Sequence, residues 1–331
     1  MRPLGLAISI IIFTLLLLPG NGLAWHPRLE ADSIIDGRGP APIVGENLPY
    51  VVGQGETLIE LARRAGVGYG AMVRANPGVD PWLPPPGKEI ILPYAAILPL
   101  GSGPGITINL AEMRLYLVWD EAGSRRVRIY PIGIGREGRN TPEGLYKVIS
   151  RAENPSWTPP PSIRKERPEL PPVVPPGPDN PLGDFWIGLS AEGIGIHGTH
   201  KPLGIGRRVS SGCIRLYPED IRDLFGRVKV GTPVRIIYQT VKLGVHDKGI
   251  FLEAHPDELG KSAGPLEEIA GQAQALGYDL RVDQQLLIDL VRQARGLPQM
   301  IAQIVGGQKT QPVEPPADKS VAALPAPLRD P

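Results

Sequence analysis

The sequence predicts a mainly β protein: a small strand-helix-helix-strand unit, a β-sandwich or barrel with one short helix, and a partly helical C-terminal extension. Three observations carry this. Gly and Pro number 41 and 39 of 331 residues, while aromatic residues make up only 5%, a composition of frequent turns rather than long helices. Alternating apolar and polar positions, the period of a half-buried strand, dominate from 105 to 238. Apolar residues at helical spacing are confined to short stretches, most of them outside that region.

The elements follow in chain order. Met1–Ala24 reads as an export signal: Arg2 gives a positive end, Leu4–Leu18 is an uncharged apolar run, and Gly22-Leu23-Ala24 supplies small residues at a cleavage site. The run is shorter than the roughly 20 residues that span a bilayer, so cleavage after Ala24 is expected, with an uncleaved anchor as the alternative. No cysteine follows, which excludes a lipoprotein. Residues 25–48 are polar and punctuated by Gly and Pro, a leader.

In 49–93, Tyr50-Val51-Val52 reads as a strand and Gly53–Thr57 as a turn into a helix capped by Thr57. Leu58, Leu61, Ala62 and Ala65 share one helical face. Tyr69–Ala75 is a second helix, ended by Asn76-Pro77-Gly78, and Glu89–Pro93 is a closing strand. Trp82 is assigned to the core of this unit.

From Gly105 onward, Ile106–Leu110 and Met113–Trp119 make a hairpin over Ala111-Glu112. Strands are expected at Arg125–Ile134, Gly144–Ser150, Asp184–Leu189, Gly193–Gly198 and Pro233–Tyr238, and a helix at Pro218–Phe225. Between two strands, Asn154–Pro181 carries eleven prolines. A loop this long inside a compact domain is a lid or is disordered, and its Trp157 either packs over a site or covers the core. Residues 239–307 hold an extended stretch at Thr240–Leu252 and amphipathic helices at Leu266–Leu276 and Asp283–Arg295. The Pro- and Ala-rich residues 308–331 predict a disordered tail.

Charge and cysteine count narrow the function. There are 35 Lys and Arg against 34 Asp and Glu, with no basic run, so no nucleic acid partner is expected. Cys213 stands alone, which rules out an internal disulfide and a cysteine-based zinc site. In an exported chain a lone thiol is an oxidation liability. It is either a buried small hydrophobe or a reactive group.

Gly195-Ile196-His197-Gly198-Thr199-His200 is followed by Ser210-Ser211-Gly212-Cys213-Ile214-Arg215-Leu216. His197 ends an apolar strand, and a connection containing Gly204 and Gly206 returns the chain to a turn at Ser210–Gly212. Imidazole and thiol can then meet at strand ends. A thiolate nucleophile needs a nearby base, and His has the suitable pKa. Gly212 leaves N–H groups of the turn open toward an oxyanion, and Arg215 lowers the thiol pKa or holds a substrate carboxylate. His200 is a second imidazole in the pocket, a third metal ligand with His197 and Cys213, or a rim residue. His26, His246 and His255 have no partner motif.

Two resemblances sharpen this reading. Tyr50-Val51-Val52, Gly55-Glu56-Thr57-Leu58, Asn76-Pro77 and Leu92-Pro93 closely resemble a LysM module over 49–93, which implies binding to N-acetylglucosamine-containing glycan such as peptidoglycan. His197-Gly198-Thr199 with Ser210-x-Gly212-Cys213-Ile214-Arg215, the cysteine sixteen positions after the histidine, resembles the signature of the L,D-transpeptidase (YkuD-type) family over about 105–238. Asn154-Pro155-x-Trp157-Thr158-Pro159 and Pro176–Gly183 are similar to the periplasmic subgroup that contains the enzymes tethering a lipoprotein to peptidoglycan.

The family resemblance implies Cys213 as nucleophile and His197 as general base and acid. Gly212 and Cys213 would contribute oxyanion N–H groups, with Ser210, Ser211, Arg215, Gly198 and Thr199 supporting the oxyanion or substrate. Ser211 stands where many members have histidine, a position read as tuning. The implied reaction is acyl transfer from a tetrapeptide stem, expelling the terminal D-alanine and leaving a thioester. An amine then takes the acyl group: the diamino acid of another stem, giving a 3-3 cross-link, or a lysine of a wall-anchored lipoprotein. No metal or organic cofactor is needed, and carbapenems should acylate the same thiol. The alternatives are an L,D-carboxypeptidase on the same stems and a non-catalytic wall-binding protein.

Overall fold

The computed structural model describes residues 33–35, 41–307 and 309–313. The expected export signal at 1–24, much of the leader and the tail beyond 313 lie outside the described residues. Among the described residues no helix is long and apolar enough to cross a membrane.

The first unit contains β1 (Ser33–Ile35), β2 (Ile43–Val44), β3 (Leu48–Val51), α1 (Leu58–Ala65), α2 (Tyr69–Ala75), β4 (Glu89–Leu92) and β5 (Ala96–Ile97). The central unit contains β6 (Gly105–Asn109), β7 (Arg114–Glu121), β8 (Ser124–Pro131), β9 (Ile134–Gly135), β10 (Gly144–Glu153), α3 (Pro161–Glu166), β11 (Phe185–Leu189), β12 (Gly195–His197), β13 (Arg208–Ser210), β14 (Ile214–Arg215), α4 (Pro218–Arg227) and β15 (Pro233–Ile237). The third contains β16 (Val241–His246), β17 (Gly249–Ala254), α5 (Pro265–Ala275), α6 (Gln284–Gln293), β18 (Gln299–Gly306) and β19 (Lys309–Pro312).

The Thr57 hydroxyl accepts the Glu60 N–H at 3.2 Å, and Gly66 closes α1 in the left-handed region, where glycine carries no Cβ penalty. Leu58, Leu61 and Ala65 of α1 meet Met72, Ile90 and Leu92 in one buried cluster. Trp82 is not part of it and is 57% exposed. This corrects the expectation for Trp82: Asp80 Oδ1 accepts the N–H groups of both Trp82 and Leu83, at 2.8 and 3.1 Å, in a loop outside a core already filled.

The central unit is a curled sheet in the order β1-β8-β7-β6-β15-β10-β11-β12-β14, with β9 and β13 paired beside it. Most neighbours are antiparallel, but β15 runs parallel to β6 and β12 parallel to β14. Ile106, Ile108, Leu115, Ile187, Ile196, Ile214 and Ile236 fill its core, closed by Ile221 and Leu224 of α4. Each of these is nearly free of solvent contact, and burial of such a side chain is worth about 1.5–3 kcal/mol.

Two expectations are corrected. The leader is more than a linker: β1 pairs antiparallel with β8, Ile43 and Val44 pair with β5, and Leu48 belongs to β3. The tail expected to be disordered from 308 instead supplies β19, completing the sheet β16-β17-β18-β19 against which α5 and α6 pack. Strand pairing satisfies backbone N–H and C=O groups that composition alone leaves unassigned.

The three units are joined by polar contacts as well as packing. Arg63 of α1 pairs with Glu219 of α4, with Nη2 3.0 Å from the carboxylate, and the Tyr217 hydroxyl donates to the Val67 carbonyl at 3.1 Å. The Tyr69 and Gly70 N–H groups donate to Ile205 and Gly206 carbonyls at 3.1 and 3.3 Å. Under the third unit lies a buried ionic cluster. Lys242 Nζ is 2.7 Å from Glu112 and 3.1 Å from Glu253, and Arg114 is 2.7 Å from Glu253. Tyr116 donates to Glu112 at 2.7 Å and His255 lies 2.9 Å from Glu253.

Candidate active site

The parallel pair β12/β14 brings the two halves of the motif together. His197 is opposite Arg215 in register, and the Leu216 N–H donates to the His197 carbonyl at 2.9 Å. Cys213 precedes β14 directly, so thiol and imidazole open onto one cleft of about 460 Å³. Trp157, Leu182, Trp186 and Arg215 line the same cleft.

His197 is buried. Its Nδ1 lies 2.7 Å from the Gly198 carbonyl; a carbonyl only accepts, so this geometry puts the proton on Nδ1 and leaves Nε2 with a lone pair. Its ring stacks on the Trp186 indole, with centroids 5.8 Å apart and planes at 23°. Burial, aided by the nearby Arg215 charge, pushes the imidazole pKa down to about 3 against the weaker pull of carbonyls at Gly198 and Leu182. The ring is therefore neutral throughout the working range of an enzyme.

The Cys213 thiol donates to the Gly193 carbonyl at 3.5 Å. Burial raises its pKa, while the Gly195 amide and the Arg215 guanidinium work in the opposite direction. Burial thus favours the uncharged forms of both groups, thiol and neutral imidazole.

The turn before the thiol is fixed by Ser210, whose hydroxyl donates to the Cys213 carbonyl at 2.5 Å and accepts the Gly212 N–H at 3.2 Å. Gly212 has φ +117, and a Cβ there would press on Ile194 at 3.1 Å. Its carbonyl accepts from Thr141 Oγ1 at 2.8 Å, and Thr141 in turn accepts the Gly135 N–H at 3.0 Å.

Of the residues singled out from sequence, His197, Cys213, Ser210, Ser211 and Arg215 line the cleft. Gly212, Gly198 and Thr199 do not. The Gly212 N–H, expected as an oxyanion donor, lies 3.2 Å from Ser210 Oγ. Gly198 is wedged between Gly183 and Ile221, and Thr199 Oγ1 is spent on the Lys201 N–H at 3.0 Å. His200 belongs to a neighbouring cleft and does not line the one that holds the thiol.

Sequence reasoning missed Trp186 and Thr141. Trp186 carries a signal in hindsight: Gly195, diagonal to it across the strand pair, is forced, since a Cβ there would run into the indole.

The proline-rich segment is ordered and lines the cleft. Trp157 and Val174 exchange backbone hydrogen bonds at 2.8 Å, and α3 starts at Pro161, where the missing N–H costs nothing. Prolines leave carbonyls without neighbouring donors, and side chains supply them. Asn180 Nδ2 donates to Pro155 at 2.8 Å and Pro175 at 3.1 Å, and Arg164 Nη2 to Pro172 at 2.7 Å. Arg136 and Arg139 hold the segment through Glu166, at 2.6 and 2.8 Å. Trp157 lines both the thiol cleft and a second cleft of about 700 Å³.

Among the described residues Glu112, Glu253 and His255 are the group spaced to hold a metal ion. Lys242 and Arg114 already balance both carboxylates, so the cluster reads as a structural ion-pair network.

Comparison with known proteins follows these features. Residues 103–236 match the YkuD L,D-transpeptidase catalytic domain, and residues 50–93 match the LysM domain. The chain is 44% identical over 223 residues to the probable L,D-transpeptidase YcfS of Escherichia coli K12, covering 64% of this chain and 69% of that one. It is 36% identical over 271 residues to the probable L,D-transpeptidase YbiS of the same organism, covering 77% and 87%. The solved catalytic domain of the Enterococcus faecium L,D-transpeptidase overlaps with a TM-score of 0.30 at 24% identity, over 41% of this chain and 97% of that one.

Proposed function

The chain belongs to the L,D-transpeptidase family, and on that premise we propose that it works through a thioester on Cys213, formed with a peptidoglycan tetrapeptide stem. The observation that carries the reading is the single cleft that holds both the thiol and a buried imidazole whose Nδ1 lies 2.7 Å from the Gly198 carbonyl.

His197 Nε2 takes the thiol proton as Cys213 Sγ bonds to the carbonyl carbon of the third stem residue. The carbon–nitrogen bond to D-alanine then breaks, and His197 returns the proton to the departing amine. In the second half an acceptor amine attacks the thioester carbonyl, the carbon–sulfur bond breaks, and its proton passes through His197 to the sulfur. With the Gly212 N–H held by Ser210, the Cys213 amide is the oxyanion donor in this reading, and Arg215 adds positive potential. Ser211 lines the path between the two clefts.

The same reading makes segment 1–24 an export signal to the periplasm, the LysM unit a holder of the glycan, and a lysine of a wall-anchored lipoprotein one of the acceptors. The protein is expected to be a carbapenem target through Cys213. The test is to incubate the full mature chain with a disaccharide-tetrapeptide and follow D-alanine release and amide-linked dimer. Release with dimer, absent in Cys213→Ala, is expected. Release with free tripeptide alone would mark a carboxypeptidase, and no release would overturn the reading.

A further inference from the structure

The second cleft shares Trp157, Ile163, Pro181, Ser211 and Arg215 with the first, but neither Cys213 nor His197 is in its wall. The two clefts meet along these five shared residues, Ser211 and Arg215 among them.

Its chemistry is cationic. Glu166 on its wall is already spent on Arg136 and Arg139. Arg207 and Arg215 also face it, and the Nε of each is buried without a hydrogen-bond partner among the described residues. Both backbones are anchored to one chain segment, on its two edges: the Ile134 N–H donates to the Arg207 carbonyl at 3.1 Å and the Gly133 N–H to the Arg215 carbonyl at 2.8 Å. With Arg136, Arg167, Lys201, Arg207 and Arg215 against Glu166 and Asp179, the wall is net cationic and complementary to a carboxylate.

Arg207 is also restrained from the LysM side. Its guanidinium lies 4.0 Å from the centroid of the Tyr69 ring, a cation–π geometry. Tyr69 cannot retreat, because its backbone N–H is bonded to Ile205. Gly206, at φ +83, lies so close that a Cβ on it would strike the Tyr69 nitrogen. The wall of the second cleft is therefore composite, with Ile59 and the Tyr69-braced Arg207 bringing the LysM unit into it.

We propose that Arg207 is a specificity-determining residue that binds a free carboxylate on the acyl acceptor, with Tyr69 as its positioning residue. The ligand class is an amine at the end of a flexible side chain whose other end bears a carboxylate, as in a diamino acid or a chain-terminal lysine. The carboxylate docks at Arg207 and Arg215, and the amine arm passes Ser211 to the thioester. This deepens the thioester reading and rests on it.

The test uses the full mature chain, a tetrapeptide stem as donor, and two acceptors with the same side-chain amine: Nα-acetyl-lysine and Nα-acetyl-lysinamide, in which an amide replaces the carboxylate. The wild type is expected to favour the acid by about tenfold or more in kcat/KM for the acceptor. Arg207→Gln brings that ratio to about 1, Arg207→Lys restores part of it, Tyr69→Ala lowers it, and Tyr69→Phe preserves it. Equal use of the two acceptors by the wild type, or a ratio that survives Arg207→Gln, would overturn the proposal. Equal losses with both acceptors would assign Arg207 a structural role only, which also overturns it. If the wild type releases no D-alanine at all, the thioester reading fails first.

Discussion

Ser210 clamps the attacking residue from behind, its hydroxyl donating to the Cys213 carbonyl at 2.5 Å while accepting the Gly212 N–H at 3.2 Å. Without that oxygen, a buried N–H loses its partner, a loss of about 1–3 kcal/mol, and the turn carrying the sulfur loosens. Ser210→Ala is expected to lower kcat by about 10- to 100-fold with a smaller change in KM, since misplacement by about 1 Å has that effect. Ser210→Thr keeps the oxygen and should retain most of the rate. Steady-state kinetics on both variants check this.

Gly195 pairs with Gly188 and lies diagonal to Trp186 across β11 and β12, and the indole occupies the space a Cβ at Gly195 would need. Gly195→Ala should displace the ring from His197 and slow acylation about tenfold or more. Adding Trp186→Leu to Gly195→Ala should recover stability, though not the stacking, so a double-mutant cycle in thermal unfolding will show strong positive coupling.

The depressed imidazole pKa, about 3, has a kinetic consequence. His197 stays neutral where a free histidine would titrate, so acylation by a carbapenem should show no break near pH 6.5. The Arg215 charge also holds the imidazole down and favours the thiolate. Arg215→Gln should therefore bring an acid limb upward into the measurable range and raise the thiol pKa further. Stopped-flow acylation from pH 4 to 10 reads both.

The same shift is linked to stability. Between pH 6.5 and about 3 the unfolded chain binds a proton at His197 that the folded chain refuses, so stability falls as pH drops through that window and is insensitive to this group above it. The slope is up to about 1.4 kcal/mol per pH unit. His197→Gln removes this contribution, and urea unfolding at pH 7 and pH 5 should show a smaller difference in the variant.

Lys242 is 1% exposed between Glu112 and Glu253. Removing one partner of such a cluster leaves buried charge uncompensated, at about 3–5 kcal/mol. Lys242→Met should therefore loosen the third unit from the central sheet, exposing the 255–264 segment to limited proteolysis at lower temperature than in the wild type.

How much of this was legible in the sequence depends on the range of the contact. Helix α1, with Thr57 as its cap, and the hairpin of β6 and β7 follow from local periodicity and turn chemistry, and the His197 and Cys213 motifs announce themselves by residue type. The pairing of β1 with β8 and of β19 with β18 was not legible. Short strands with weak alternation take their identity from a partner far along the chain. The Gly306-Gly307 pair was the hairpin signal available for β18 and β19. The contact between the Gly212 N–H and Ser210 was not legible, because backbone donors look alike in sequence. Arg207 and Tyr69 belong to different units, so nothing local links them.

The central claim, a thioester on Cys213, is tested most directly by intact-protein mass spectrometry of the mature chain mixed with a disaccharide-tetrapeptide and quenched in acid. The account predicts an adduct of the stem lacking its D-alanine, localised to Cys213 by peptide mapping, discharged by added amine and absent from Cys213→Ala. An adduct on another residue, or none with either the stem or a carbapenem, would contradict it.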